Sequence, residues 1–131
     1  MTFAPLLLLV DDDPAVRASL TFSLELEGFA VEAFASGERL VARAKLADAA
    51  CLVIDYRLPG IDGLSLLSLL RERGATCPVV IITSNPTRRV RQCTTDAGAV
   101  LIEKPLLNDG LTVAIRSLIK AGREQASGLA A

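Results

Sequence analysis

Three consecutive carboxylates, Asp11, Asp12 and Asp13, close an apolar run from Pro5 to Val10, and a further carboxylate, Asp55, closes a second run from Cys51 to Ile54. Two other apolar runs end on Thr83 and, two residues after Ile102, on Lys104. Acids brought within a few ångströms repel one another, and each is pushed towards its neutral form unless a cation relieves the charge. Mg²⁺ takes oxygen ligands of this kind. A carboxylate beside a divalent ion remains a nucleophile towards a phosphoryl group, because the ion screens its repulsion from the incoming oxygens. Asp55 is the candidate nucleophile, with Asp12, and Asp11 through water, as the candidate metal ligands. Lys104 and the Thr83 hydroxyl are the groups available to neutralise charge on two phosphoryl oxygens.

This chemistry requires the four runs to be neighbouring strands whose C-terminal ends share one edge, where open α/β sheets bind ligands. The pattern supports that. Leu6 to Val10 is continuously apolar, as in a central parallel strand buried on both faces. From Pro14 the period becomes helical, with Val16, Leu20, Leu24 and, less regularly, Phe22 before Gly28, Asp13 as the N-cap and Pro14 in the first turn. Asp13 is therefore read as a cap in preference to a third metal ligand. A weaker strand spans Phe29 to Phe34, and Ser36 begins a helix expected to run to about Leu46 with Leu40, Val41 and Ala44 on its apolar side. The third strand, Cys51 to Ile54, is followed by the loop Arg57-Leu58-Pro59-Gly60. A helix over Asp62 to Arg73 is expected to bury Leu64, Leu67 and Leu70. Pro78 to Thr83 is a β-branched fourth strand, Thr87 to Asp96 a polar, arginine-rich helix, Ala99 to Ile102 the fifth strand, and Leu111 to Lys120 the last helix. Five strand and helix alternations predict a doubly wound α/β sandwich, (βα)5, with one domain over residues 1–121 and a flexible tail over 122–131.

The 131 residues, 51% hydrophobic, suit one domain with a substantial core. Fourteen Lys and Arg against fifteen Asp and Glu leave a formal charge of -1, so bulk electrostatics favour neither nucleic acid nor an acidic coat. With no histidine and no CxxC spacing among Cys51, Cys77 and Cys93, the chain cannot build the usual zinc sets or a histidine triad. Cys51 and Cys77 read as small buried hydrophobes, and the absence of a disulfide framework favours a reducing, cytoplasmic compartment. The stretch Phe3 to Val10 lacks a preceding basic region and runs into acid, so neither a signal peptide nor a membrane span is expected there. The Lys104-Pro105 bond restricts Lys104 to an extended conformation, and proline statistics favour its trans form.

Four segments together, LLLVDDDPAVR, CLVIDYRLPGIDG, VVIITS and VLIEKP, resemble the response-regulator receiver domain of two-component signalling, CheY-like and nearest to the receivers of FixJ/NarL-type regulators. The resemblance covers about residues 5 to 120. It implies a flavodoxin-like five-stranded parallel sheet of order 2-1-3-4-5 and transient phosphorylation of an aspartate by a sensor histidine kinase or a histidine phosphotransfer protein. It also implies a requirement for Mg²⁺, for which Mn²⁺ can substitute. Carried over residue by residue, Asp55 corresponds to the phosphoacceptor and to one of the metal ligands, Asp12 to the direct metal ligand, Asp11 to the acid acting through water, and Arg57 to the ligand that uses its backbone carbonyl. Thr83 corresponds to the switch hydroxyl, Lys104 to the phosphate-binding lysine, and Ser84, Asn85 and Pro105 to neighbouring tuning positions. Such a domain catalyses its own phosphorylation and dephosphorylation without being an enzyme in the ordinary sense. The resemblance further implies homodimerisation through the fourth helix, fifth strand and fifth helix, with no nucleic acid bound by this domain and no membrane association.

Two features depart from the family pattern. The aromatic residue expected three positions before the lysine is Leu101, which offers no phenolic hydrogen bond, so the coupling of Asp55 to the surface either falls to Thr83 and backbone shifts or is weaker. The segment Asn85-Pro86-Thr87-Arg88-Arg89-Val90-Arg91 is arginine-rich, either a solvated helix face or a basic patch for an acidic partner or a second copy. Arg57 and Asn85 sit two positions beyond Asp55 and Thr83, and a long Arg57 side chain over the acyl phosphate predicts slow self-dephosphorylation. The competing readings are a phosphorylation-independent pseudo-receiver acting as an interaction module, and the receiver part of a longer DNA-binding regulator, although GREQASGLAA has little hydrophobic pattern with which to start another domain. A haloacid dehalogenase-like phosphatase would need a cap domain for which no length remains. A flavin or nucleotide site would need a phosphate-binding first turn in place of an acidic one.

Overall fold

The computed structural model describes residues 4–43, 45–106 and 109–130, with side chains to residue 124. Five parallel strands form one sheet: β1 (Leu6–Val10), β2 (Ala30–Phe34), β3 (Cys51–Asp55), β4 (Val79–Thr83) and β5 (Val100–Glu103), in the spatial order β2-β1-β3-β4-β5. The expected α/β sandwich and strand order are both found. Helices α1 (Pro14–Leu26), α2 (Gly37–Val41), α3 (Gly63–Glu72), α4 (Arg88–Asp96) and α5 (Gly110–Ala130) cover the two faces.

Alternation along the buried strands divides the core in two. Leu7 and Leu9 of β1, with Val53, Val80 and Ile82, pack on one side with Leu20 and Leu24 of α1 and Leu111 and Ile115 of α5. Leu8 and Val10, with Leu52, Ile54 and Ile81, pack on the other with Leu40 of α2 and Leu66, Leu67 and Leu70 of α3. Burying both faces of the central strands supplies most of the stabilisation, at about 1.5–3 kcal/mol for each large aliphatic side chain withdrawn from water.

Local signals fix the helix ends. The Asp13 carboxylate accepts hydrogen bonds from the Ala15 and Val16 amides at 2.9 and 3.3 Å, with Pro14 in the first turn, so Asp13 is the N-cap of α1. Gly28, at φ +98°, closes the helix in the left-handed region. Ser36, Asp62 and Thr87 cap α2, α3 and α4 by accepting from the Arg39, Ser65 and Val90 amides.

Five expectations need correction, the first at Phe22, which α1 leaves 66% exposed. The second helix ends at Val41 instead of continuing to Leu46, and a 3-10 turn over Leu46–Asp48 follows. Arg43 is the cause: its guanidinium leaves the helix to pair with Glu32 of β2 at 2.6 Å and to donate to the Lys45 carbonyl, after which Leu46 turns into the core at 3% exposure. Ala44, assigned to that helix, lies outside the described residues. In α3 the fully buried positions are Leu66, Leu67 and Leu70, whereas Leu64 is only half-buried. The last helix runs through Ala130, ten residues beyond the expected Lys120. Finally, the Lys104-Pro105 peptide bond is cis, against the trans form that statistics favour.

Candidate phosphoryl-transfer site

Parallel pairing places the chemistry. Val10 is in register with Ile54, so the next residues, Asp11 and Asp55, leave adjacent strands side by side. Pairing continues past the strand ends: the Tyr56 amide donates to the Ile82 carbonyl and the Lys104 amide to the Thr83 carbonyl, each at 2.8 Å. The C-terminal ends of β1, β3, β4 and β5 therefore share one edge, carrying Asp11, Asp55, Thr83 and Lys104. Asp12 follows at the rim, exposed to water.

The carboxylates converge. Oxygens of Asp11, Asp12 and Asp55 all lie within 4.8 Å of one another. Asp11 and Asp55 are buried at 2% and 6% exposure, and Lys104 Nζ reaches both, 3.3 Å from Asp55 Oδ2 and 3.8 Å from Asp11 Oδ2. One amine thus faces two buried acids, with a third carboxylate, Asp12, beside them. Burial pushes the Asp11 carboxyl above the usual aspartate value; the hydrogen bond from the Asp13 amide opposes this, Asp55 adds to it, Lys104 opposes it and Asp12 adds again. A compact set of hard oxygens carrying surplus negative charge suits Mg²⁺, Mn²⁺ or Ca²⁺ and does not suit a thiophilic metal. Asp13, whose side chain is committed to α1, is outside this group.

The surrounding residues hold the acids in place. The Arg57 amide donates to Asp55 Oδ1 at 3.3 Å, while the Arg57 side chain is exposed. Thr83 is buried, and its hydroxyl donates only a long 3.5 Å bond to the Ser84 carbonyl, which leaves it free to find a better acceptor. Ser84 and Asn85 begin the exposed β4–α4 turn, with Asn85 left-handed at φ +44°. Leu101, half-buried in β5, is in register with Ile81 one strand away, and Pro105 follows Lys104 through the cis bond.

Two residues that sequence reasoning missed also shape this edge. A Cβ on Gly63 would lie 2.8 Å from the Asp55 carbonyl oxygen and 2.9 Å from Tyr56 Cα, so only glycine lets α3 start against the end of β3. Its amide donates to the Tyr56 carbonyl at 2.8 Å. The glycine of the quoted segment CLVIDYRLPGIDG was visible, but nothing in its spacing revealed the close approach. Arg17, one turn into α1, donates from Nη1 to the Asp11 carbonyl at 2.8 Å and so fixes the β1–α1 turn.

Comparison with known proteins agrees with the geometry. Residues 7–116 match the family model described as the response regulator receiver domain. The transcriptional regulatory protein FixJ of Azorhizobium caulinodans is 36% identical over 117 residues, 88% of this chain and 56% of that protein. Response regulator MprA of Mycobacterium leprae is 34% identical over 115 residues, 87% of this chain and 50% of that protein. The chain therefore spans about half the length of these curated relatives. Among solved structures, a CheY-like receiver domain protein from Methanospirillum hungatei JF-1 superposes with a TM-score of 0.84 at 25% identity, covering 94% of this chain and 99% of that one. Among the described residues, no helix is long and apolar enough to cross a membrane.

Proposed function

The chain belongs to the response regulator receiver domain family, and from that premise we propose that Asp55 is its phosphoacceptor, serving with a divalent cation held at Asp11 and Asp12. The observation that carries this reading is the convergence of three carboxylates, two of them buried and both within reach of one lysine amine. An Asp55 oxygen attacks phosphorus, forming an O–P bond as the bond from phosphorus to the donor's imidazole nitrogen breaks, and the electron pair leaves with the imidazole. Mg²⁺, or Mn²⁺ in its place, would be held by the Asp12 and Asp55 carboxylates and the Arg57 carbonyl, with Asp11 acting through water, and would neutralise charge on the transferring oxygens.

The protein's own groups do the remaining work. Lys104 Nζ, already within 3.3 Å of Asp55, exchanges a carboxylate partner for a phosphoryl oxygen, and the Thr83 hydroxyl gives up its weak bond to Ser84 for another. Moving Thr83 draws on Ser84 and Asn85, so the phosphorylated state is announced through the β4–α4 turn. Leu101 and Pro105 border that route, and Leu101 contributes packing where the family pattern has an aromatic hydroxyl. The donor is a sensor histidine kinase or a histidine phosphotransfer protein, in a cytoplasmic setting. Residues 1–121 form the working unit, and residues 122–131 lie beyond it. Self-association through α4, β5 and α5 is the expected output contact, and sedimentation with and without beryllofluoride checks it. A second reading, in which this is the receiver part of a longer DNA-binding regulator, rests on its likeness to the transcriptional regulatory protein FixJ, of which it covers 56%.

Intact-mass spectrometry tests phosphorylation directly. With Mg²⁺ and a small phosphodonor the protein should gain a single phosphoryl group, and neither the metal-free sample nor Asp55→Asn should gain one. A folded protein that never labels, beside a receiver control that does, would favour a phosphorylation-independent interaction module.

A further inference from the structure

A cavity of about 510 Å³ opens between α3 and α4; it shares Thr83, Ser84 and Asn85 with the Asp55 edge, but the Asp11, Asp12 and Asp55 carboxylates do not line it. Half-buried Tyr56, Leu64 and Val90 contribute its apolar lining, and two exposed arginines, Arg57 and Arg89, line it from different elements. Asp62 is the one carboxylate in the lining, and it is engaged as the α3 cap, accepting from the Ser65 amide at 2.8 Å and the Ser65 hydroxyl at 3.1 Å. Neither Arg57 nor Arg89 makes an ion pair among the described residues, whereas Arg43, Arg91 and Arg116 all do. The placement also opposes the local field. α4 opens with Arg88 and Arg89 and has no acid in its first turn, so two cations sit at the positive end of the helix dipole. An anion seated there would relieve this repulsion and satisfy both guanidiniums.

We propose that this cavity is a binding site for a small organic oxyanion, a di- or tricarboxylate or a phosphate ester, held between Arg57 and Arg89 with its carbon portion against Tyr56, Leu64 and Val90. The volume falls within the range of small-ligand pockets, about 300–1,000 Å³. Guanidinium pairs suit carboxylate and phosphate alike, since both offer two coplanar oxygens to the fork of donors. The Asp55 pocket is a poor competitor for such a ligand without Mg²⁺, because its three carboxylates repel it. The inference goes beyond phosphoryl transfer and does not depend on it.

Amide NMR titrations of the Mg²⁺-free protein with citrate and, separately, with glycerol 3-phosphate test the site, ionic strength being held constant with NaCl. Saturable shifts confined to residue 57 and residues 84–90 are expected. Affinity should fall about tenfold or more in the Arg57→Gln/Arg89→Gln double variant, and should be unchanged in Arg123→Gln, which removes an exposed arginine elsewhere. Response to citrate alone would identify a carboxylate site, and response to glycerol 3-phosphate alone a phosphate-ester site. Binding should survive Lys104→Ala, and its loss there would move the anion to the Asp55 edge and overturn the proposal. Shifts that fail to saturate, or that persist unaltered in the folded double variant, would overturn it equally.

Discussion

Replacing Asp11 with Asn removes a charge from a place where the fold has gathered an excess of one sign. Oxygens of Asp11, Asp12 and Asp55 lie within 4.8 Å of one another, so at an effective dielectric near 20 each like-charged pair costs about 3.5 kcal/mol. Lys104, 3.8 Å from Asp11, offsets about 4 kcal/mol on the same scale. Asp12 is exposed and water screens most of its share, while burial of Asp11 adds a penalty of its own. The balance favours the neutral side chain by about 1–2 kcal/mol, and Asn Oδ1 can still accept from the Asp13 amide. Thermal unfolding followed by circular dichroism in EDTA at neutral pH should show Asp11→Asn melting higher by about 5 °C. The pH dependence has a definite sign. Because the folded Asp11 carboxyl is raised above its ordinary value, the stability of its protonated form is present at low pH and lost as pH rises through the folded value. The gap between variant and wild type should therefore be widest at neutral pH and close as pH falls through that raised value. In millimolar MgCl2 the order should reverse, since only the wild type retains the full ligand set. An Asn variant no more stable than wild type in EDTA would refute the reasoning that surplus charge at this edge strains the metal-free fold.

Other perturbations follow from the same geometry. Lys104→Ala leaves the acids without their amine and should destabilise the metal-free protein by about 1–3 kcal/mol in urea denaturation, less than for a fully buried pair because Lys104 keeps partial contact with water. Added Mg²⁺ should recover part of that loss. Gly63→Ala drives a methyl group into the Asp55 carbonyl and should cost about 1–3 kcal/mol while slowing phosphoryl labelling, both measurable on the purified variant. Burial pushes the Cys51 thiol up to about 12 and raises that of Cys77, so a maleimide should modify only exposed Cys93 in the native protein and all three cysteines in denaturant, as read by mass spectrometry.

What the sequence made legible, and what it did not, divides along a physical line. β1, β3 and β4 were readable because strands buried on both faces must be apolar throughout, and the residue that ends each run necessarily falls at the sheet edge. Asp13 was readable as a cap because a carboxylate directly before proline and a helical period leaves it little else to do. The early end of α2 was hidden, since it depends on Arg43 meeting Glu32 across the fold, a contact that no local propensity encodes. Leu66 was missed in favour of Leu64 because one helical face blends into the next among so many leucines. The need for glycine at residue 63 is a matter of space against another segment's backbone, and Arg17 acts through a carbonyl that any residue would supply. The cavity beneath Arg57 and Arg89 joins elements more than thirty residues apart, where the sequence offered only a cluster of positive charge.

Borohydride trapping of the phosphorylated protein, followed by peptide mass mapping, tests the central claim most directly. Borohydride cleaves an aspartyl phosphate reductively to homoserine, so the product marks the carboxylate that carried the phosphoryl group. Homoserine is expected at Asp55 alone, in a Mg²⁺-dependent yield; homoserine at Asp11 or Asp12, or no product from protein that has gained a phosphoryl group, would overturn phosphoryl transfer to Asp55.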